Sequence, residues 1–320
     1  MNSDLFIPPP SIRTRILGTY ARRALYSNKR DAKALSHVDL TTPYDDQYWY
    51  IRPGKDQYAG QYLIVSAFTD QCLYINTRDY AWGDVGTFAP IGAYGDQYFD
   101  LVQQQGQGVR AGQFRIHTPS VNAVLFSRTH AQPELGCIPG NQTFDDHFFT
   151  FELEPLDFVG VEFDLSNAVV MSTRPKNLFS QQLRNQTGTD QDQSVKISES
   201  TEQQSTFEAE VGLELGVSTQ VSCGVPMLAE GKVEVSAKVH SNLKWGSTNV
   251  RSQSWEATVN LKVPGGKTIR VTATVTESIL NVPFVSTWKS KKTGQTMTTK
   301  GIFKGISSSD LSTNFFLIEK

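Results

Sequence analysis

The sequence predicts an all-β protein with two domains, residues 1–155 and residues 156–320. Two observations support this fold class. A short motif recurs three times at a fixed interval in the first half, and apolar and polar residues alternate over long stretches of the second half. A chain of 320 residues with 38% hydrophobic content is long enough to bury two cores. Glu154-Pro155-Leu156 is interpreted as the linker between the domains.

The first half contains a threefold repeat. The strings Asp-Gln-Tyr-Trp, Asp-Gln-Tyr-Phe and Asp-His-Phe-Phe begin at positions 46, 96 and 146, which are 50 residues apart. Three β-rich units that are each too small to bury a core alone predict a closed threefold module, a β-trefoil. The aromatic residues Trp49, Phe99 and Phe149 end the three strings. We expect them to lie in the trefoil core, because large apolar side chains at repeated strand positions usually pack inward.

Each repeat also carries polar and aromatic residues that suit a sugar. A sugar site needs an aromatic surface for the apolar face of the ring, and charged or amide groups for its hydroxyls. The candidate sets are Asn28, Arg30, Tyr44 and Asp46; Asn76, Arg78, Tyr94 and Asp96; and Arg128, His130, Phe144, Asp145 and Asp146. The same residues are equally compatible with solvated loop charges and an aspartate that braces a turn. The residues alone leave both interpretations open.

In the second half, residues 207–240 are predicted to form an amphipathic β-hairpin. Apolar residues occupy odd positions, namely Phe207, Ala209, Val211, Leu213, Leu215, Val217, Val221, Val225, Val233, Val235 and Val239. All seven glutamates and lysines occupy even positions, namely Glu208, Glu210, Glu214, Glu230, Lys232, Glu234 and Lys238. The tip is placed at Val225, Pro226, Met227 and Leu228. Both limbs reach the ~9–11 residues with which a strand crosses a bilayer, but such a face can also pack on its own protein.

Composition argues against several function classes. A net charge of -2 gives no broad basic field for nucleic acid. The three cysteines and five histidines are scattered without metal-ligand spacing, so neither a metal nor a cofactor is expected. Asp45-Asp46 and Asp145-Asp146 are neighbours, and neighbours on a strand point to opposite faces, whereas a glycosidase needs two carboxyls that face one sugar. We therefore expect no enzymatic activity.

The N-terminal residues have no basic segment followed by an apolar run, so we expect no signal peptide. The expectation is storage in the cytoplasm, or release by a non-classical route, followed by action outside the cell.

The chain resembles the haemolytic pore-forming lectins of bracket fungi of the Laetiporus type, which join a β-trefoil to an aerolysin-like module. The likeness covers nearly the whole chain. The strings that carry it are Ile7-Pro8-Pro9, Ser127-Arg128-Thr129-His130-Ala131-Gln132-Pro133, Phe144-Asp145-Asp146-His147-Phe148-Phe149-Thr150-Phe151, Gly224-Val225-Pro226, Asn281-Val282-Pro283-Phe284 and Gly301-Ile302-Phe303-Lys304-Gly305-Ile306-Ser307-Ser308.

This resemblance implies a defensive cytolysin that binds galactose-containing glycans of the N-acetyllactosamine type. It further implies a homo-oligomer, a hexamer or similar ring, on a target-cell membrane, where the hairpin becomes a transmembrane barrel lined by the even-numbered charges. The family motif falls on Arg128, His130, Asp145 and Asp146, and the first repeat departs from it most. The alternative function is a non-lytic agglutinating or storage lectin whose C-terminal domain only oligomerises.

Overall fold

The structure is a computed structural model that describes residues 5–28, 34–41, 43–76, 84–209, 214–215, 220–229, 231–237 and 239–318. Within these ranges every long element is a β-strand and no α-helix occurs, so the all-β prediction is confirmed. The chain divides into two compact units. The trefoil unit contains Met1–Val159, Glu210–Ser218 and Thr287–Thr298, and the sheet unit contains Gly160–Ala209, Thr219–Ser286 and Thr299–Lys320. The trefoil unit thus includes two short segments from beyond the predicted boundary at residue 155.

The trefoil unit is built from short strands. They are β1 (Thr14–Gly18), β2 (Arg23–Tyr26), β3 (Ser36–Asp39), β4 (Tyr48–Pro53), β5 (Tyr62–Ser66), β6 (Cys72–Asn76), β7 (Asp84–Phe88), β8 (Tyr98–Phe99), β9 (Phe114–Arg115), β10 (His117–Thr118), β11 (Ala123–Ser127), β12 (Leu135–Pro139) and β13 (Phe148–Leu153). A 3₁₀ turn precedes β4, β8 and β13, at Asp45–Gln47, Gly95–Gln97 and Asp145–His147. The repeated string of the sequence is therefore this turn followed by a core strand.

The three repeated aromatic residues lie in the trefoil core, as expected. Trp49, Phe99 and Phe149 each have 0% exposure, which confirms their predicted place. They pack in one cluster with residues from all three repeats, among them Leu25, Leu73 and Leu125. The threefold repeat thus supplies one shared apolar interior.

The two ends of the trefoil pair with each other. Strand β1 pairs antiparallel with β13, with Ile16 opposite Phe151. Just beyond this ladder, Glu154 is buried and accepts hydrogen bonds from the backbone N–H and Nε of Arg13 at 3.0 and 2.9 Å. Glu154 therefore belongs to the trefoil rather than to a linker.

The remaining strands follow in chain order. They are β14 (Leu156–Phe163), β15 (Val169–Arg184), β16 (Gln191–Ala209), β17 (Glu214–Leu215), β18 (Gln220–Cys223), β19 (Pro226–Ala229), β20 (Lys232–Val235), β21 (His240–Lys244), β22 (Thr248–Val263), β23 (Thr268–Ser290) and β24 (Thr296–Ile318). Six of them form a sheet of order β14-β23-β24-β16-β22, with β15 paired to β23. Half-buried and exposed residues alternate along β22, and buried residues alternate with more exposed ones along β23, as the alternation of apolar residues predicts. This long-stranded antiparallel sheet is the architecture expected of the second domain.

The segment 207–240 differs from the single hairpin that the sequence predicts. Strand β16 ends at Ala209, β17 pairs parallel with β13, and two separate ladders join β18 to β21 and β19 to β20. Ala229 lies opposite Lys232, so the turn falls between these residues and not at the predicted tip, Val225–Leu228. Gly231 at this turn has a φ of +78°, a left-handed conformation that glycine adopts without strain.

Several residues of the sequence predictions lie outside the described part of the chain. They are Arg30, Arg78, Glu210, Val211, Leu213, Val217, Glu230 and Lys238; Glu214 and Leu215 are described by their backbone alone.

Candidate functional site

The second repeat contains a cavity of about 370 Å³, which we call the second-repeat cavity. Three predicted site residues of this repeat, Asn76, Tyr94 and Asp96, line it. The other lining residues are Tyr74, Asp84, Phe88 and Gln97. The structure thus brings together all the described candidates of the second repeat.

Two strands and one turn hold this cavity open. Asn76 on β6 lies opposite Asp84 on β7, and the Tyr74 hydroxyl donates a hydrogen bond to Asp84 Oδ2 at 3.1 Å. Gln97 is fully buried in the 3₁₀ turn and donates from Nε2 to the Pro90 carbonyl at 3.3 Å. These contacts fix the walls of the cavity.

Aromatic rings and acidic groups both line the cavity. Phe88 and Tyr94 are 48% and 54% exposed, with ring centroids 6.3 Å apart. Their partly exposed rings offer a surface to the apolar face of a sugar. The partly buried Asp96 supplies a carboxylate that accepts hydrogen bonds from hydroxyls, and Asn76 adds an amide.

The third-repeat candidates occupy a different environment. Arg128 donates from Nε to the Pro133 carbonyl at 3.0 Å, and its guanidinium lies 4.3 Å from the centroid of the Phe126 ring. His130 packs edge-on against Tyr20 with ring centroids 5.6 Å apart. Contacts with neighbouring groups of the loop therefore fix the position of the Arg128 side chain.

The turn of the third repeat is closed around a histidine. His147 replaces Gln97 of the second repeat and accepts a hydrogen bond from the Phe144 backbone N–H at 3.3 Å. Burial lowers the pKa of His147 to about 4, so the ring is neutral at pH 7. Asp146 is buried beside it, with Oδ1 3.5 Å from His147 Nε2, whereas Phe144 is 55% exposed.

Asp145 of the same turn forms an ion pair with Arg110. The assignment of a sugar site to the third repeat remains a prediction. Its acidic groups differ from the partly buried Asp96, because Asp146 is buried beside His147 and Asp145 is paired with Arg110.

The sequence did not single out Tyr74, Asp84 or Phe88 as site residues. Tyr74 lies in a Leu-aromatic pair that repeats at Tyr26 and Phe126, and this echo is a usable signal. Asp84 and Phe88 have no such signal, because Leu135 and Pro139 occupy the corresponding ends of β12.

In the trefoil, one serine, one histidine and one glutamate are linked in series by hydrogen bonds. Ser127 Oγ is 2.7 Å from His37 Nδ1, and Glu134 Oε2 is 3.3 Å from His37 Nε2. Ser127 is 1% exposed, so no substrate reaches its hydroxyl, and burial lowers the pKa of His37. In the described ranges, no cluster of three or more histidine, cysteine, aspartate or glutamate residues could hold a metal ion.

In the sheet unit, the apolar face of segment 207–240 is largely packed. Phe207 is fully buried, its ring stacked 5.0 Å from Trp245 and near Phe303. Val221, Val225, Pro226 and Leu228 are buried, Ala209, Met227 and Val233 are half-buried, and Val235 and Val239 are exposed. The charged Glu208, Lys232 and Glu234 are exposed. Among the described residues, no helix is long and apolar enough to span a membrane.

No protein-family model matches the chain, and no curated protein matches it. Solved structures do show similarity. The β-trefoil protein BEL is 27% identical over 46% of this chain and 97% of its own, with a TM-score of 0.41. The lamprey immune protein is 11% identical over 99% of this chain and 96% of its own, with a TM-score of 0.44. The parasporin-2 toxin of Bacillus thuringiensis is 14% identical over 50% of this chain and 73% of its own, with a TM-score of 0.31.

Proposed function

We propose that this chain is a glycan-binding cytolysin that attaches to target cells through the second-repeat cavity. The observation that carries the proposal is the grouping of Tyr94, Phe88 and Asp96 around one cavity. This combination of exposed aromatic rings and a carboxylate suits a pyranose ring with one apolar face. The resemblance to pore-forming lectins adds the choice of galactose and N-acetyllactosamine.

Attachment through this cavity would be followed by assembly into a homo-oligomeric ring, a hexamer or similar, which links one weak site of each subunit. Linked weak sites gain avidity without new contacts, and a ring of bound subunits concentrates the segments 207–240. Strands satisfy every backbone hydrogen-bonding group in lipid only in a closed barrel, so each subunit must contribute a hairpin to a shared barrel. We propose that this happens at the surface of the target cell, after release from a cytoplasmic store.

Insertion requires segment 207–240 to leave its present packing. The β19–β20 ladder must shift its register by one residue, because it now places Leu228 opposite Val233 and Met227 opposite Glu234. Phe207 must also leave the aromatic cluster with Trp245 and Phe303. After this change the odd-numbered apolar side chains would meet lipid and the even-numbered charges would line the lumen.

The glycan step is tested by calorimetric titration of the full chain with N-acetyllactosamine. Tyr94→Ala is expected to abolish measurable binding, because it removes an exposed ring of the cavity. Tyr44→Ala is the matched control, since Tyr44 precedes the equivalent turn of the first repeat and is 61% exposed. Equal loss of affinity in both variants would contradict the assignment to the second repeat.

A second candidate function is a non-lytic agglutinating lectin. The burial of Phe207, Val221 and Leu228 favours it, because these residues already pack on their own protein. Dye leakage from vesicles that display galactose-terminated glycolipids separates the two functions. The cytolysin releases the dye, whereas the agglutinin clusters the vesicles without leakage.

A further inference from the structure

The trefoil unit contains a second cavity of about 760 Å³ around the loop between β4 and β5. We call it the loop cavity. Its polar and aromatic lining consists of Arg52, Lys55, Asp56, Gln57, Tyr58 and Tyr98. No residue is shared with the second-repeat cavity, so the two are separate places on the trefoil.

The loop at this cavity, Gly54–Gln61, has a counterpart in the next repeat at Gly106–Gln113. Both loops begin with glycine and end with Ala-Gly-Gln. Their backbone hydrogen bonds also match: the Gly54 N–H donates to the Gln61 carbonyl at 2.8 Å, and the Gly106 N–H donates to the Gln113 carbonyl at 2.7 Å. The two loops therefore have the same backbone frame and differ in the side chains it carries.

Of the five loop residues that line the loop cavity, all but Gly54 differ from the counterpart loop. Lys55, Asp56, Gln57 and Tyr58 stand where the counterpart has Gln107, Gly108, Val109 and Arg110. Asp56 has a φ of +50°, close to the +60° of Gly108. Aspartate adopts this left-handed region more readily than most residues other than glycine, so the loop keeps its backbone conformation while it carries a carboxylate.

Tyr58 also breaks a pattern that the other two repeats keep. Arg13 lies 4.6 Å from the Tyr48 ring centroid and pairs with Asp45 at 3.2 Å. Arg110 lies 4.2 Å from the Phe148 ring centroid and pairs with Asp145. In both repeats an arginine thus covers the aromatic residue and is neutralised by the turn aspartate.

In the second repeat the arginine and the aspartate are both replaced. Tyr58 stacks on Tyr98 with ring centroids 3.7 Å apart, and Gly95 stands where Asp45 and Asp145 stand elsewhere. Two cationic side chains, Arg52 and Lys55, line the loop cavity instead. In the part of the chain that the structure describes, neither of them forms an ion pair with an acidic residue.

We propose that the loop cavity binds an acidic saccharide, a sugar that carries a carboxylate or a sulfate. Arg52 and Lys55 match the anionic group, and the guanidinium offers a bidentate contact to either anion. The stacked tyrosines provide an apolar platform for the ring, and Gln57 and Asp56 are suited to its hydroxyls. The volume lies within the range of about 300–1,000 Å³ typical of ligand pockets. The site does not depend on the proposed function of the second-repeat cavity.

The test uses probes without galactose, so that the second-repeat cavity does not obscure the result. The full chain is titrated with the disaccharide of glucuronic acid and N-acetylglucosamine, with its sulfated derivative, and with neutral diacetylchitobiose. The variant is Arg52→Gln with Lys55→Gln, because the counterpart loop carries Gln104 and Gln107 at these positions and the frame accepts them. The charge-matched control is Lys196→Gln with Lys262→Gln, two exposed lysines of the sheet unit.

We expect one or both acidic probes to bind the native chain, and the Arg52, Lys55 variant to lose about tenfold or more in affinity, since charge-assisted hydrogen bonds are about twice as strong as neutral ones. The lysine control and Asp96→Asn should retain native affinity for the acidic probes. The proposal is overturned if neither acidic probe binds, if diacetylchitobiose binds equally well, or if the variant keeps native affinity. It is also overturned if the variant loses binding to anionic phospholipid vesicles while its affinity for the saccharides is unchanged. A preference between the first two probes identifies the anion as carboxylate or sulfate.

Discussion

Asp96→Asn should weaken binding of N-acetyllactosamine by about tenfold. The substitution keeps the shape of the side chain and removes the charge with which it accepts hydrogen bonds from sugar hydroxyls. A hydrogen bond to a charged group contributes about 1.5–3 kcal/mol, which corresponds to about a 10- to 150-fold change in affinity. Asp96 is only partly buried in the second-repeat cavity, so water screens the charge and the lower end of this range applies.

The assay is calorimetric titration of the native chain and two variants, Asp96→Asn and Arg128→Ala. Arg128 stacks on Phe126 and donates to the Pro133 carbonyl, so its removal should leave sugar affinity within about twofold of native if the second repeat is the site. Thermal unfolding of each variant shows that the fold is retained. Loss of affinity in Arg128→Ala with no change in Asp96→Asn would exclude the second-repeat cavity as the sugar site and would place the site in the third repeat.

Four further results are expected. Glu154→Ala should lower the free energy of unfolding in urea by about 3–5 kcal/mol, because it leaves Arg13 without its buried partner; a loss below about 1 kcal/mol would contradict this account of the trefoil ends. Burial lowers the pKa of His147 from 6.5 to about 4, so the folded state binds fewer protons than the unfolded chain and stability falls as pH drops through that window. His147→Gln, the residue of the other repeats, should flatten this pH dependence, and an unchanged slope would exclude His147 as its source. A disulfide between Glu208→Cys and Ile302→Cys, which lie opposite each other on β16 and β24, should block lysis and spare glycan binding; full lysis with the bond confirmed would exclude release of this strand. The pore should prefer cations, because five glutamates against two lysines leave three net negative charges per hairpin; reversal potentials in asymmetric KCl measure this, and a preference for chloride would mean that another segment lines the lumen.

The trefoil was predictable because its sequence repeats. A fixed period places equivalent residues in equivalent positions, and Trp49, Phe99 and Phe149 accordingly share one core. The long strands of the sheet unit were predictable for a related reason, since alternation along β22 and β23 reports which face is buried.

Other features could not be predicted, because they depend on packing between distant segments. The pair of Arg13 and Glu154 joins residues 141 positions apart, and neither residue carries a local signal of burial. The alternation of residues 207–240 predicts strands but not their partners, so it did not reveal that β17 pairs with β13 or that the turn lies before Lys232. In the second-repeat cavity, Phe88 was missed because the third repeat has a proline at its position.

We propose that glycan binding by the trefoil leads to membrane permeabilisation, and vesicle leakage tests this link directly. Dye release is measured from two sets of vesicles that differ only in a galactose-terminated glycolipid, with the native chain and with Asp96→Asn. We expect rapid release from the glycolipid vesicles by the native chain, inhibition by free N-acetyllactosamine, and release by Asp96→Asn only at about tenfold higher concentration. Equal release from both sets of vesicles, or binding to glycolipid vesicles without any release, would contradict the proposal.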